Sequence, residues 1–417
     1  MLAESFSYRS NTLYCEDVAL EDIASRAGTP CYVYSSHGIL SAYHTYENAF
    51  GDAPYRICYA VKANGNLAIL RLLAGAGAGF DIVSGGELFR VLQAGGDPAK
   101  VVYSGVGKTA EEVEFALASG IHSFNCESEA ELALIDALAA RRNSRARVSV
   151  RVNPDIEAET HPYISTGLRE HKFGIDISEA PGVYERAMRL GNLCLEGVSC
   201  HIGSQLLDTD PIWQAADRVL ALVDTLRAAG VPVRHLDLGG GLGVAYRSGD
   251  IAPAIEEFIF GIVQRIRGRG VEILIEPGRS IVGSAGVLLT RVLYRKKTQH
   301  KEFIVVDAAM NDLLRPALYQ SHHEIIPLNR AAGRGAVTAD VVGPVCETGD
   351  FLARDRELPN VFPGDLLAVC TAGAYGFVLA SNYNARPRPA EVLVEAGSWR
   401  VVRGRETYAD LVRGETA

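Results

Sequence analysis

The sequence lacks three features that are each typical of one broad class of proteins, namely membrane proteins, secreted proteins and nucleic-acid-binding proteins. No apolar run approaches the ~20 residues that a membrane-spanning helix needs. The N-terminal segment Met1–Ser7 has neither the basic start nor the apolar stretch of a secretory signal. The formal net charge is −9 at pH 7, whereas a surface that binds nucleic-acid phosphates is basic. We therefore expect a cytoplasmic protein without a membrane or nucleic-acid partner.

Paired cysteines are missing as well. The eight cysteines are scattered, with no Cys-x-x-Cys pair and no Cys/His spacing typical of a zinc site. In a reducing compartment we expect them to be thiols, most of them small core residues in strand-like runs. Cys346 is the exception, because it lies in the polar, glycine-rich turn 343–350. The sequence therefore predicts no metal site, and it singles out Cys346 as a thiol outside the core.

The middle of the chain alternates between two kinds of segment. With 417 residues, 48% of them hydrophobic, the chain can bury a large core and form two or three domains. Between residues 55 and 280, strand-like runs alternate with helical patterns such as 110–119 and 129–142, which open on the capping residues Thr109 and Ser128. This alternation predicts a parallel sheet, and eight strands are the number that closes a (β/α)8 barrel. An open doubly wound sheet is the alternative. The predicted strands are 55–62, 79–84, 101–105, 123–126, 147–153, 195–203, 235–238 and 272–276.

The pattern changes after about residue 283. Strand-like runs follow one another without long helices and are separated by turn clusters such as 363–365. This predicts a mainly antiparallel β domain. The β-prone segment 30–35 precedes the first barrel strand and can pair into the same domain. We therefore predict a barrel domain over residues 36–282 and a β domain built from residues 1–35 and 283–417.

Lys62 closes a short apolar, β-prone run, and turn residues follow it at once. It is thus predicted to lie at the carboxyl end of a barrel strand, where barrel enzymes carry their chemistry. Dry surroundings there would let the amine lose its proton and form a Schiff base. A lone lysine at a strand end is more often a solvated ammonium. Polar residues at other strand ends favour the functional interpretation.

Those other strand ends carry groups that core packing does not require. Glu276 is followed three residues later by Arg279. The two side chains either form a surface ion pair with each other, or Glu276 faces a heteroaromatic nitrogen while Arg279 meets anionic groups. His201 and Ser204 supply an imidazole and a hydroxyl at another strand end. The triple glycine 239–241 offers bare backbone N–H groups, a nest for a phosphate, whereas a tight turn would need only one glycine.

Two stretches only resemble nucleotide-binding motifs. Ser104–Thr109 looks like a P-loop, but the first glycine of that motif would fall at position 102, which is Val102. The run 239–243 is not Gly-x-Gly-x-x-Gly, because position 244 is Val244. Neither stretch predicts a nucleotide site.

Five motifs that occur in order along the chain carry a resemblance to the diaminopimelate decarboxylase family. They are Tyr-Ala-Val-Lys-Ala-Asn (59–64), His-Ile-Gly-Ser-Gln (201–205), Leu-Gly-Gly-Gly-Leu-Gly (238–243), Glu-Pro-Gly-Arg (276–279) and Gly-Pro-Val-Cys-Glu-Thr-Gly-Asp (343–350). The resemblance covers about residues 5–415, and the stretch 305–319 indicates the decarboxylase branch. Thr348 stands where the family often has serine, so a hydroxyl is kept. This family belongs to the fold-type III pyridoxal-phosphate enzymes, together with alanine racemase and ornithine decarboxylase.

The resemblance implies pyridoxal 5'-phosphate as the cofactor and assigns roles by matched position. Lys62 would bind the cofactor as a Schiff base, His201 would stack on its ring and Glu276 would bind the ring nitrogen. Cys346 would be the acid that returns a proton to Cα. The other implied cofactor-binding residues are Asp81, Ser204, Gly239, Gly240, Gly241, Gly278, Arg279 and Tyr375. The implied substrate-binding residues are Arg279, Arg315, Tyr319, Glu347 and Tyr375. Supporting positions around Lys62 and His201 are matched by Asp81, Glu87 and Arg151.

The implied function is decarboxylation of meso-2,6-diaminopimelate to L-lysine and CO2, the last step of lysine biosynthesis. One alternative is a decarboxylase of another basic amino acid, such as ornithine, arginine or carboxynorspermidine. A terminal amine alone needs an acid at the distal end, however, whereas Arg279 and Arg315 suit a carboxylate. Another is a cofactor-binding relative without catalysis, which would have no use for Lys62 and Cys346. Because Cys346 is far from Lys62 in the chain, the resemblance also implies a homodimer with shared active sites.

Overall fold

The chain divides into two compact units. The computed structural model describes residues 4–156, 172–330 and 335–416. One unit, here the barrel unit, consists of Tyr43–Val244 and Ala252–Gly278. The other, here the β unit, consists of Met1–Ala42, Ala245–Ile251 and Arg279–Ala417. In the described part of the chain, no helix is long and apolar enough to cross a membrane.

Strands and helices are numbered along the chain. The strands are β1 (Phe6–Arg9), β2 (Thr12–Cys15), β3 (Val18–Ala19), β4 (Cys31–Ser35), β5 (Tyr55–Ala60), β6 (Gly79–Ile82), β7 (Val101–Tyr103), β8 (Ser123–Cys126), β9 (Ala146–Asn153), β10 (Ile175–Asp176), β11 (Leu193–Ser199), β12 (His235–Asp237), β13 (Glu272–Ile275), β14 (Gly286–Lys297), β15 (Glu302–Val306), β16 (Ile325–Pro327), β17 (Ala336–Val342), β18 (Phe351–Pro359), β19 (Leu366–Val369), β20 (Ala390–Glu395) and β21 (Ser398–Arg403). The helices are α1 (Leu20–Ala27), α2 (Ser36–Phe50), α3 (Leu67–Gly75), α4 (Gly85–Gln93), α5 (Ala110–Ser119), α6 (Glu129–Arg141), α7 (Ala180–Ala187), α8 (Asp210–Ala228), α9 (Ile255–Ile266), α10 (Arg279–Val282), α11 (Arg315–Tyr319) and α12 (Tyr408–Leu411).

The barrel unit is built on a closed ring of parallel strands. β5, β6, β7, β8, β9, β11, β12 and β13 pair in that order, each parallel to the next. β13 then pairs in parallel with β5, with Ile275 opposite Ile57, and this pairing closes the ring. The predicted (β/α)8 barrel is confirmed. An open doubly wound sheet is excluded, because neither β5 nor β13 is left as an edge strand.

Burial and helix capping explain why these segments form the barrel. β6 and β8 are buried along their whole length, as expected for strands that are covered on both faces. Thr109 forms a capping box with Glu112 at the start of α5, and Ser128 caps α6 by accepting the N–H of Glu131, so both predicted caps are confirmed. Parallel strands joined by such helices bring their carboxyl ends to one end of the barrel.

The β unit contains a sheet organised around the long strand β14. This strand pairs antiparallel with β4, β15 and β19, whereas β4 with β20 and β15 with β17 are parallel pairs. The sheet is therefore mainly antiparallel, as predicted. Because β4 lies within the β-prone segment 30–35, the expectation that this segment joins the β domain is also confirmed. The core of the unit includes the fully buried residues Leu13, Val33, Val287, Leu289 and Val392.

Candidate active site

A cavity of about 430 Å³ within the barrel unit is lined by residues from several strand ends. Lys62 lies in a short 3-10 turn directly after β5. Its amine forms an ion pair with the fully buried carboxylate of Asp81 in β6. His201 follows β11 and Glu276 follows β13. We call this cavity the barrel pocket, and its lining includes Lys62, Ser104, Asn125, Arg151, His201 and Glu276.

The ion pair is a contact of Lys62 that the sequence did not indicate. The prediction had only dry surroundings for the amine, whereas a carboxylate is paired with it. The Lys62 side chain also keeps 33% of its surface exposed. Oδ1 of Asp81 is buried and has no hydrogen-bond partner among the described residues. Asp81 therefore orients the amine and retains one acceptor for a further group.

Glu276 and Asp237 form a buried acid pair beside this lysine in the barrel unit. Glu276 Oε1 accepts hydrogen bonds from Ser104 Oγ at 3.1 Å and from Asn125 Nδ2 at 3.3 Å. The same amide nitrogen donates to Asp237 Oδ2 at 2.8 Å. Burial raises the pKa of Asp237 to about 6. It raises the pKa of Glu276 well above its ordinary value, and the charge of Asp237 adds to this effect. Both effects favour the protonated form of Glu276, which can give its proton to a basic nitrogen.

His201 is a neutral imidazole. Its Nδ1 accepts a hydrogen bond from the backbone N–H of Gly240 at 3.2 Å, which leaves its proton on Nε2. Burial lowers the pKa of His201 well below its ordinary value, and the positive charges of Arg151 and Lys62 act in the same direction. A flat, uncharged ring in the barrel pocket can stack on the face of another ring.

The triple glycine 239–241 is packed so closely that each of its members is needed. An added Cβ would lie 2.6 Å from the ring of His201 at the first position, 2.3 Å from the backbone oxygen of Glu276 at the second, and 2.6 Å from the backbone oxygen of Gly203 at the third. All three distances are shorter than a carbon atom tolerates. The loop therefore needs glycine at all three positions for its close approach to neighbouring strand ends, a reason that the sequence did not reveal.

Two amides of this loop are engaged within the barrel unit. The N–H of Gly239 donates to Asp237 Oδ1 at 2.9 Å, and the N–H of Gly240 donates to His201. The prediction of bare N–H groups is therefore wrong for these two glycines. Their amides instead orient one member of the acid pair and the neutral imidazole.

Two further predicted cofactor positions lie at the same strand ends. Ser204 lies in the loop after β11, next to Gly203, whose backbone meets the triple glycine. Gly278 follows β13, and an added Cβ there would lie 2.9 Å from the Cβ of Ala63, the residue after Lys62. Both residues therefore lie close to chain segments that contribute residues to the lining of the barrel pocket.

Glu87 and Arg151, the predicted supporting residues, also lie in the barrel unit. Arg151 Nη1 donates to Glu127 Oε1 at 2.9 Å in a largely buried ion pair. Glu87 accepts the backbone N–H of Val83 at 2.7 Å, and burial raises its pKa to about 7. Both side chains are fixed by contacts inside the unit, which is what a supporting role requires.

A second polar cluster lies in the β unit. Arg279 and Arg315 are only 7% and 6% exposed. Arg279 Nη1 donates to the Tyr246 hydroxyl at 2.7 Å, and its guanidinium lies 4.7 Å from the ring centre of Tyr375. The guanidinium of Arg315 lies 4.5 Å from the ring centre of Tyr246. We call this group the arginine cluster, and it consists of Tyr246, Arg279, Arg315, His323 and Tyr375.

The surroundings of Arg315 suit an anion. Among the described residues, Arg315 contacts the Tyr246 ring, and its Nη1 lies 2.9 Å from Nε2 of His323. It forms no ion pair with a carboxylate of these residues. Burial lowers the pKa of Arg315, and the charge of Arg279 acts in the same direction, although an arginine remains charged in proteins. Tyr319 lies at the other end of α11 from Arg315. A ligand carboxylate would compensate this buried positive charge.

Cys346 differs from the other cysteines, as predicted. Its backbone N–H donates to Asn384 Oδ1 at 2.7 Å, and it is the exposed cysteine of the chain. The adjacent Glu347 accepts a hydrogen bond from the Tyr383 hydroxyl at 3.2 Å. These contacts hold the turn while leaving the thiol accessible. The buried cysteines are Cys15, Cys31, Cys58, Cys126, Cys200 and Cys370, and Cys194 is partly buried.

Comparison with known proteins identifies the family. The family model described as "Pyridoxal-dependent decarboxylase, pyridoxal binding domain" matches residues 37–283. The diaminopimelate decarboxylase of Pseudomonas aeruginosa is 55% identical over 413 residues, which are 99% of this chain and 99% of the relative. That of Vibrio cholerae is 52% identical over 408 residues, 97% of each chain. The chain belongs to the diaminopimelate decarboxylase family. The predicted family and enzyme class are confirmed.

Solved structures of diaminopimelate decarboxylases share the fold. The Helicobacter pylori enzyme, complexed with L-lysine, superposes with a TM-score of 0.91 at 44% identity and covers 94% of this chain and 98% of its own. The M. jannaschii enzyme, in co-complex with L-lysine, gives a TM-score of 0.95 at 36% identity over 100% of this chain and 99% of its own. The agreement therefore extends over the barrel and the β domain alike.

The barrel pocket fits the cofactor of the diaminopimelate decarboxylase family. Its donor set contains a primary amine at Lys62, a neutral imidazole at His201 and a glutamic acid that holds a proton at Glu276. The buried Oδ1 of Asp81, without a partner among the described residues, is a further acceptor. The amine suits the carbonyl carbon of pyridoxal phosphate, the imidazole suits its ring face, and the carboxyl group of Glu276 suits its ring nitrogen. The predicted cofactor is confirmed by the matching family.

Four residues of these sites were not found from the sequence. Asp237 ends β12 directly before the leucine and the triple glycine, so its place at a strand end was a usable signal. Asn125 lies inside β8, where a polar residue in a strand-like run was the only indication. Tyr246 and His323 lie in stretches without a motif, and their roles depend on contacts that only the fold creates.

Proposed function

We propose that the protein decarboxylates meso-2,6-diaminopimelate to L-lysine and CO2 with pyridoxal 5'-phosphate in the barrel pocket. The observation that carries the choice of substrate is the arginine cluster. Arg315 is buried and charged, and in the described part of the chain it pairs with no carboxylate. A substrate with a second carboxylate compensates that charge, whereas one that ends in an amine alone leaves it uncompensated.

The residues of the barrel pocket prepare the cofactor for this reaction. Bound pyridoxal phosphate supplies an electron sink for the pair left at Cα when the carboxylate departs as CO2. Lys62 holds the cofactor through its amine, and Asp81 orients that amine. Glu276 would give its proton to the ring nitrogen and, as the resulting carboxylate, would hold it there, because an adjacent negative charge stabilises a protonated nitrogen. His201, uncharged, covers one face of the ring.

Further residues are assigned to the phosphate and the substrate by the family resemblance. We assign the phosphate to Ser204, Gly241, Gly278, Arg279 and Tyr375, while Gly239 and Gly240, whose amides are engaged by Asp237 and His201, shape the loop beside it. Arg279, Arg315 and Tyr319 bind the distal carboxylate, and Glu347 and Tyr375 lie beside the rest of the substrate, with Glu347 taking the distal ammonium. After CO2 has left, the thiol of Cys346 donates a proton to Cα, which requires a positioned acid. Support comes from the exposure of Cys346 and the burial of both arginines.

We further propose that the working form is a homodimer with shared active sites. Residues 36–282 form the cofactor-binding barrel domain, and residues 1–35 and 283–417 complete the active site of the partner subunit. The position of Cys346 outside the barrel sequence and the family resemblance support this arrangement. All eight cysteines are free thiols, which supports a reducing, cytoplasmic location.

The proposed function is tested by CO2 release from a panel of diaminopimelate, ornithine, arginine and carboxynorspermidine. We expect release from diaminopimelate to exceed that from each other substrate at least about 100-fold. When a substrate without a distal carboxylate binds, the buried arginines of the site stay unpaired. Equal release from ornithine would contradict the substrate assignment.

Lys62→Ala is expected to abolish turnover and to leave no cofactor that borohydride can fix, because the Schiff-base amine is gone. Lys172→Ala is the matched control and should keep both properties. Mass spectrometry of the reduced wild-type protein should find the cofactor on the peptide with Lys62. Its attachment to Lys108 or Lys172 would refute this assignment.

A further inference from the structure

His323 is a fully buried histidine whose two ring nitrogens are both used. It lies between α11 and β16 in the β unit and is 0% exposed. Its Nδ1 lies 2.8 Å from the backbone oxygen of Cys370, and its Nε2 lies 2.9 Å from Nη1 of Arg315. The edge of the ring meets the Tyr246 ring, with 5.1 Å between the ring centres.

The two partners fix the protonation state of this ring. A backbone oxygen can only accept a hydrogen bond, and a guanidinium can only donate one. Nδ1 of His323 therefore carries the proton, and Nε2 presents its lone pair to Arg315. Burial lowers the pKa of His323 well below its ordinary value, and the charge of Arg315 acts in the same direction. The ring is thus a neutral acceptor for the guanidinium.

A neutral acceptor has a consequence that a carboxylate would not have. It orients the guanidinium of Arg315 through one N–H group without neutralising the positive charge. The Tyr246 ring, 4.5 Å from the Arg315 guanidinium, limits its movement on one side. Arg315 therefore keeps its full charge and its remaining N–H groups for a ligand.

We propose that His323 is a positioning residue that holds Arg315 towards the distal carboxylate of the substrate and so helps the enzyme to select ligands that carry one. The inference rests on the proposed function, because it takes Arg315 to bind that carboxylate. His323 itself does not touch the substrate in this proposal. Its removal should weaken binding of the distal carboxylate while leaving the reacting end of the substrate unaffected.

The test compares L-lysine with cadaverine, which lacks the distal carboxylate. Both are titrated calorimetrically into the cofactor-loaded wild-type protein and into His323→Asn, which keeps a donor for the Cys370 oxygen but cannot reach Arg315. We expect the lysine affinity to fall about tenfold, the loss typical of a hydrogen bond to a charged group, and the cadaverine affinity to stay unchanged. The KM for diaminopimelate should rise by a similar factor, with kcat nearly constant.

Two further variants control for a structural role. His322→Asn alters the neighbouring histidine, which contacts Glu324 and Arg356 instead, and should keep the wild-type preference for lysine. His323→Gln restores an acceptor near the position of Nε2 and should recover most of that preference. If His323→Asn does not fold, His323→Gln carries the test, and loss of the preference in this folded variant would overturn the proposal.

The outcomes separate this inference from the proposed function. Wild-type protein that binds lysine no better than cadaverine contradicts the assignment of the arginine cluster to the distal carboxylate. Wild-type preference combined with an unchanged preference in folded His323→Asn overturns only the role of His323. An equal loss of affinity for lysine and cadaverine in His323→Asn also overturns it, because that pattern reports general damage to the site.

Discussion

Glu276 owes its proposed chemistry to its surroundings rather than to its residue type. An exposed glutamate is ionised at neutral pH, but burial and the charge of Asp237 raise the pKa of Glu276. Hydrogen bonds from Ser104 and Asn125 fix the position of its carboxyl group. The side chain can therefore keep a proton shared with the ring nitrogen of the cofactor.

Glu276→Gln is expected to lower kcat at least about 100-fold, the scale of a lost acid–base group, while the cofactor stays bound. Glutamine keeps the acceptor for Ser104 and Asn125, but it cannot exchange a proton with the ring nitrogen. The measurements are kcat with diaminopimelate and the cofactor content of the purified variant. Glu272→Gln, at the opposite end of β13 where the carboxylate pairs with Arg56, is the control. A near-native kcat in Glu276→Gln would show that the residue is only structural.

At the residue scale, the sequence indicated the groups at the strand ends but not the contacts that tune them. Lys62, Glu276 and His201 follow apolar strands, and this position alone made them candidates. The orientation of the Lys62 amine depends on Asp81, which lies in the next strand of the barrel. The need for glycine at 239–241 likewise follows from backbone contacts between separate strand ends, which a local pattern does not contain.

At the scale of elements, the lysine and the threonine of the segment that resembles a P-loop serve the fold, whereas its first four residues line the barrel pocket. Lys108 is almost completely buried and donates to the backbone oxygens of Gly105 and Asn125, both at 2.8 Å, and to Glu131 at 2.6 Å. Thr109 caps α5. The lysine that would bind phosphate in a P-loop thus joins the loop after β7 to β8 and α6, and the hydroxyl caps α5.

Thr109→Ala is expected to lower the free energy of unfolding by about 1 kcal/mol, because one helix N–H group loses its acceptor. The KM for diaminopimelate should not change, since the cap does not line the barrel pocket. Chemical denaturation monitored by circular dichroism measures the effect. Thr109→Ser keeps the capping oxygen and should remain within a few tenths of a kcal/mol of the wild type. A large change in KM for Thr109→Ala would mean that Thr109 does contact a ligand.

Elements with strong local signals were predictable and those that depend on packing were not. The capped helix predicted over 110–119 is found as α5. In contrast, α7 was missed, because it is short and has Pro181 and Gly182 in its first turn. It is stabilised by tertiary contacts instead, since the buried Tyr184 donates its hydroxyl to the backbone oxygen of Gly197 at 2.5 Å.

At the scale of the whole molecule, the proposed chemistry is divided between two units. The barrel unit contains Lys62 and the acid pair, and the β unit contains the arginine cluster and Cys346. Neither set is sufficient for the proposed reaction, because one holds the cofactor and the other binds the substrate and supplies the acid. If the active site is shared across a homodimer, the thiol of Cys346 acts in the site that contains Lys62 of the other subunit.

Subunit mixing tests this arrangement. Cys346→Ala and Lys62→Ala are each expected to be inactive, because one lacks the acid and the other the Schiff-base amine. Random reassortment of equal amounts gives about half heterodimers, and each of these contains one intact site of two. The mixture should therefore recover roughly a quarter of wild-type activity by the symmetry of a two-fold interface, measured as CO2 release from diaminopimelate after exchange has been demonstrated.

The matched control mixes wild-type protein with the double variant Lys62→Ala, Cys346→Ala. With shared sites, both sites of the heterodimer contain one altered residue, so only wild-type homodimers work and the mixture keeps roughly a quarter of the activity of the same total protein. With sites inside single chains, each heterodimer keeps one intact site and the mixture keeps about half. Half of the activity here, together with no recovery in the mixture of single variants, would require both residues to act within one chain, and the shared-site dimer would have to be given up.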